Sequence, residues 1–131
     1  MMRIQSFTYM EVWKRGMELV VEIYLLTDKL PREEVYGLSS QLRRASVGIL
    51  ANLAEGFSRS SNPDKAYKYT ISRGECSEVH ALLLVCVRLQ LLSEEEAKKA
   101  LLLNAHTGKL LTGLIQKYSS NPSPSPSPLV M

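Results

Sequence analysis

The chain has 131 residues, 45% hydrophobic and 22% charged, with a formal net charge of +3. That length suits one domain whose core can form without metals or disulfides, and the composition is that of an ordinary soluble protein. A charge this small does not by itself imply nucleic acid. The longest apolar patch, HALLLVCVRLQLL, is broken by Arg88 and Gln90, so nothing reaches the roughly 18–20 apolar residues of a membrane span. The opening MMRIQSFTYMEVW holds no apolar run of signal-peptide length.

Strand signals are nearly absent, and helix punctuation divides the chain into four. The first helix is expected from about Tyr9 to Asp28. Thr8 and Glu11 have the spacing of a capping box, with Phe7 and Val12 as its hydrophobic staple. Val12, Leu19, Ile23 and Leu26 repeat on a helical spacing, and Pro31 follows as a stop. The second helix follows the turn LPREEVYGL and spans about Ser39 to Phe57. The third opens at SNPDKAYKY, with Asn62 as N-cap, Pro63 at the first helical position and Asp64 at the positive dipole end. It should continue to about Leu91. Cys76 and Cys86 then lie on one helix about 15 Å apart, too far to bridge, which fits a reducing cytoplasm.

The fourth helix begins with a second capping box, Ser93 and Glu96, and runs to about Tyr118. Gly108 and Gly113 inside it each cost about 1 kcal/mol against alanine, which suggests close contacts or a frayed last third. SSNPSPSPSPLVM cannot be helical, because proline removes backbone donors. It reads as an extended or disordered tail over residues 119–131, a solvated segment before an SH3-type ligand. Short links between long helices favour antiparallel neighbours. The expected fold is all-α, an up-down-up-down four-helix bundle over residues 1–118.

The second helix has too many apolar faces for a lone bundle. At 100° per residue, Leu38, Leu42, Ala45, Ile49 and Leu53 share one face. Val47, Leu50, Ala51 and Ala54 fall near the opposite one, and Gln41, Arg44, Gly48, Asn52 and Glu55 form a polar stripe between. A second helix neighbour within the bundle would account for this. Self-association is the simpler account, with Val47, Leu50, Ala51 and Ala54 as the interface.

In this helix the residues resemble a family. Trp13, Pro31, Glu34, Tyr36-Gly37-Leu38, Gln41-Leu42-Arg43-Arg44-Ala45 and Asn52, Ala54-Glu55-Gly56 match the pattern of the bacterial four-helix-bundle proteins encoded in intervening sequences of 23S ribosomal RNA genes. Arg73-Gly74 and Glu78 match its third helix, and the resemblance covers about residues 7–118. Two positions depart from it: Gly48 and Glu75 each stand where the pattern has serine. The resemblance implies the same bundle and a homo-oligomer, a pentameric ring being the expected form. A related branch, the accessory proteins of diversity-generating retroelements, resembles a basic ring that binds nucleic acid and a reverse transcriptase.

Arg43 and Arg44 point about 100° apart. Arginine suits phosphate, but a carboxylate on a small-residue helix face needs a partner, and Glu55 and Glu78 are candidates. We assign Arg43 to a structural ion pair with Glu78. Arg44 joins Arg59, Lys65, Lys68 and Arg73 as the candidate nucleic-acid surface, with Tyr67 and Tyr69 able to stack on bases, although tyrosines at such spacing more often pack between helices. A ring would repeat this modest patch into a stronger field; a solvated charged face is the plainer reading. Cys76 and His80 have metal-pair spacing, but two ligands make no site, so no metal or cofactor is expected. No P-loop or paired-carboxylate motif is present, so no enzyme is expected. The expected function is a cytoplasmic, non-enzymatic oligomer serving nucleic acid or a ribonucleoprotein. A protein-interaction scaffold without a nucleic-acid partner is the alternative.

Overall fold

The architecture is set by where each helix can start and stop. The structure, a computed structural model, describes residues 6–119; the Ser-Pro tail beyond Ser119 lies outside them. Helix α1 spans Glu11–Thr27, α2 Leu38–Ser58, α3 Asn62–Arg88 and α4 Glu94–Tyr118, with short 3-10 turns at Phe7–Tyr9 and Arg32–Glu34. There is no strand among the described residues.

The start of α1 differs from expectation. Ser6 takes the capping role one turn earlier, accepting from the Thr8 N–H and sharing a hydrogen bond with its hydroxyl. With the Thr8 hydroxyl engaged there, α1 begins at Glu11 behind Met10, without a side-chain cap. Phe7 packs edge-on against Trp13 at 4.9 Å and Phe57 at 6.2 Å, pinning the entry of α1 to the end of α2.

The N-cap of α3 is Ser61, whose hydroxyl accepts from the Asp64 N–H, so Asn62 is already helical. This helix stops at Arg88, short of Leu91, because Gln90 adopts a left-handed conformation with φ 64°. The Leu91 N–H then reaches back to the Cys86 carbonyl and the Gln90 N–H to that of Val87. Those are the two bonds of a Schellman stop.

The α4 capping box forms as expected: Ser93 N–H donates to Glu96 Oε1 at 2.9 Å and Glu96 N–H to Ser93 Oγ at 3.0 Å. Gly108 and Gly113 neither fray the helix nor admit a close neighbour. Helix α4 continues to Tyr118, and a Cβ at either position would meet nothing within 4 Å.

Each helix packs on its two chain neighbours, with α4 closing back onto α1. Contacts run in opposite chain senses. Arg43 at the start of α2 reaches Thr27 at the end of α1. Ser72 of α3 donates to the Ile49 carbonyl of α2, Asn104 of α4 to the Cys76 carbonyl of α3, and Lys99 of α4 pairs with Glu22 of α1. The four helices are therefore antiparallel neighbours around one core. Leu19, Ile23, Leu42, Ile49, Leu53, Val79, Leu83 and Leu111 sit at its centre, fully buried. Each such side chain contributes about 1.5–3 kcal/mol by leaving water. Cys76 and Cys86 are both free and buried. No helix of the described residues is long and apolar enough to cross a membrane.

Candidate functional site

The α2–α3 side holds most of the charged residues singled out above, and it is largely an internal network. Arg43 turns toward α1. Its Nε donates to Thr27 Oγ1 at 2.7 Å, its Nη2 to Asp28 Oδ1 at 3.0 Å, and its guanidinium lies 4.3 Å from the centre of the Tyr24 ring. The expected Arg43–Glu78 pair is therefore corrected: Glu78 is held by Arg44. The 100° between adjacent residues sends one arginine to each flanking helix, and the wheel alone does not say which goes where.

Gly48 and Glu75, the two departures from the family pattern, touch. A Cβ on Gly48 would lie 2.7 Å from Glu75 Oε2, so the bare glycine makes room for the carboxylate. Burial first, and then the charge of Glu78, raise the Glu75 pKa, against a lowering pull from Arg44. A carboxyl whose folded pKa is raised binds its proton more tightly when folded, so it loses stability as pH climbs through that range. Glu75→Gln is accordingly expected to melt higher than the parent at pH 7. Near pH 3, where both states protonate the acid, the difference should vanish; equal melting temperatures at pH 7 would remove this account.

All five candidate nucleic-acid residues are engaged within the bundle, three of them with carboxylates. Arg44 serves Glu78, with Glu75 3.9 Å away. Lys68 lies 2.6 Å from Glu55, and Arg59 lies 3.9 Å from the same carboxylate. The Lys68 hydrogen bond and charge hold the Glu55 pKa low. Lys65 donates to the Phe57 carbonyl at 2.7 Å and so completes the end of α2. Arg73 donates to a neutral side chain, Thr112 Oγ1, at 3.2 Å. Tyr67 is exposed, whereas Tyr69 takes the packed placement and is a core residue. It is buried, with its hydroxyl pKa pushed up to about 12 by that burial.

The outer face of α2 keeps three of its four expected members. Val47 and Ala51 are exposed and Ala54 is half-buried. Leu50 is not on that face: it is buried, and its Cδ2 would lie 2.7 Å from a Cβ on Gly16 of α1. An exposed apolar row on α1, Met17, Val21 and Leu25, was missed by the sequence reading. Its signal was present, since apolar residues at four-residue spacing lie off the core face. His80 is exposed, while Cys76 is buried and that burial pushes its thiol pKa up to about 12. No group of three His, Cys, Asp or Glu among the described residues could hold a metal ion.

No curated protein matches the chain. A solved structure from Bacteroides thetaiotaomicron VPI-5482, described as a protein of unknown function from the S23 ribosomal protein family, shares the fold. It is 25% identical, with a TM-score of 0.74, over 80% of this chain and 98% of that one. The family described as 23S rRNA-intervening sequence protein matches residues 8–113, the whole bundle but its outermost turns. With most of its length inside that match, the chain belongs to the 23S rRNA-intervening sequence protein family.

Proposed function

We propose that the protein is a non-enzymatic homo-oligomer, pentameric in form, acting in the cytoplasm as an accessory to nucleic acid or a ribonucleoprotein. The observation that carries this reading is the outer face of α2. The core is complete without Val47, Ala51 and Ala54, yet α2 presents these small apolar side chains outward, where a second copy of the helix surface can approach closely. RNA or DNA is the proposed partner, and a reverse transcriptase a further one by the resemblance to the retroelement accessory proteins. The spending of Arg44, Arg59 and Lys68 on Glu78 and Glu55 favours a second reading, a scaffold that binds only protein.

Light scattering on the full chain tests the assembly. The expected mass is near five chains, and Val47→Arg with Ala51→Arg should reduce it to one while the helical circular dichroism stays. A parent protein that runs as a monomer overturns the oligomer. An oligomer that binds no RNA or DNA at low salt leaves the scaffold reading.

A further inference from the structure

The side of the molecule formed by α3 and α4 carries a groove of about 350 Å³ whose chemistry differs from that of its surroundings. Three basic side chains line it: Arg73 and His80 from α3 and Lys109 from α4. Among the described residues no carboxylate does. The grooves beside α1 and at the start of α4 are unlike it, with Glu18 and Glu22 in one and Glu94 and Glu95 in the other. Among the described residues neither Arg73 nor Lys109 has an ion-pair partner, whereas Arg15, Lys29, Arg43, Arg44, Arg59, Lys68 and Lys99 all do. Lys14 and Lys98 have no ion pair among the described residues either, but each lines a groove that also holds carboxylates, whereas Arg73 and Lys109 share one that holds none.

A second observation points to a ligand. Asn104 lines the same groove and is 4% exposed. Its amide Nδ2 is committed to the Cys76 carbonyl at 2.8 Å, which fixes the orientation of the amide. Its Oδ1 is thereby left buried as an acceptor, and no donor among the described residues meets it. A buried acceptor without a donor is costly. The backbone contributes too: Gly108 lies in the wall, and a Cβ there would meet nothing within 4 Å. The absent side chain keeps the groove open.

We propose that this groove binds a phosphate-bearing nucleotide unit. The phosphate would lie among Arg73, His80 and Lys109, and a sugar hydroxyl or base N–H would donate to Asn104 Oδ1. Simple anions such as sulfate satisfy the cations but bring no donor for the amide; a nucleotide brings both. The volume is within the range of small-ligand sites. The same chemistry comes from two sources, a free nucleotide or one residue of a single strand. The proposal deepens the nucleic-acid reading above by moving its contact surface from the α2–α3 charges, which are spent, to the α3–α4 groove.

The experiment measures binding of a short labelled single-stranded RNA and of a nucleoside 5′-monophosphate to the full chain, across a salt series. Two groove variants are compared with the parent: Arg73→Gln with Lys109→Gln, and Gly108→Leu. The second fills the groove without touching a charge and replaces glycine with a better helix former, so loss of binding with an undiminished melting temperature cannot be blamed on unfolding. Lys14→Gln, outside the groove, is the control. Both groove variants should weaken RNA binding at least tenfold. The double neutralisation should also flatten the log–log salt slope by about 0.7, one phosphate contact on a single strand. Loss of both ligands, or of RNA alone, supports the proposal with a strand as the source. Mononucleotide binding that the variants abolish, in a protein that binds no RNA, supports the groove with a free nucleotide as its ligand and ends the nucleic-acid reading. RNA binding that neither variant changes overturns the groove and leaves that reading intact. A parent that binds neither ligand overturns the groove.

Discussion

Tyr69→Ala is expected to lower the unfolding free energy by about 3–5 kcal/mol, among the largest losses available to a single substitution here. Tyr69 is the largest of the fully buried side chains, 1% exposed. It joins three helices. Its ring lies against Gly56 of α2, where a Cβ would come within 2.6 Å of Cε1, and 5.9 Å from the Tyr118 ring of α4. Alanine would leave a cavity walled by a glycine backbone that has no side chain to fill it, so relaxation can recover little. A domain of this size has roughly 5–15 kcal/mol in total, so the variant should be only marginally folded. Urea denaturation checks this: the midpoint should fall steeply with an unchanged slope. Tyr69→Phe keeps the ring and should cost no more than about 1.5 kcal/mol. A Tyr69→Ala loss below 1 kcal/mol would mean that the α2–α3–α4 junction repacks freely and that Tyr69 is not its keystone.

The fold was legible because its signals are local. The capping box at Ser93 and Glu96 is a sequence-local device, and it formed as read. The core face of α2, Leu42, Ala45, Ile49 and Leu53, follows from one angle per residue, and all four are buried. What could not be read depends on which helix stands beside which. Tyr67 and Tyr69 are two residues apart and look alike among lysines, but only one faces Gly56. Arg43 and Arg44 both end in ion pairs, because Asp28 lies beside one and Glu78 beside the other. The basic cluster was counted as net charge, and Glu55 was not expected to take Lys68 and Arg59 together. The α3–α4 groove was invisible for the same reason. Arg73 and Lys109 are 36 residues apart in the chain, and only the antiparallel register of the two helices places them in one wall.

Leu50 gives the sharpest case, and a test. The helical wheel put it on the outer face of α2, yet it is buried because Gly16 leaves a slot for it in α1. Any Cβ at position 16 would stand 2.7 Å from Leu50 Cδ2 and 3.8 Å from Thr107 Cγ2 of α4. Leu50 is 6% exposed, so a shift of its methyl would press on the packing around it. Gly16→Val is therefore expected to cost about 1–3 kcal/mol by overpacking, more than the few tenths valine gains over glycine in helix propensity. Leu50→Ala should cost about 2–5 kcal/mol by emptying the slot. Combined, the valine occupies space the leucine vacated, and the double variant should be more stable than the sum of the two losses predicts by about 1–3 kcal/mol. Denaturation of all four proteins completes the cycle. Additivity within about 0.5 kcal/mol would break the link between Gly16 and Leu50. Light scattering on the same samples separates the two roles proposed for α2. A core Leu50 changes stability and leaves the assembly mass alone, whereas an interface Leu50 changes the mass with no coupling to Gly16. The first outcome leaves Val47, Ala51 and Ala54 as the α2 surface available to another chain.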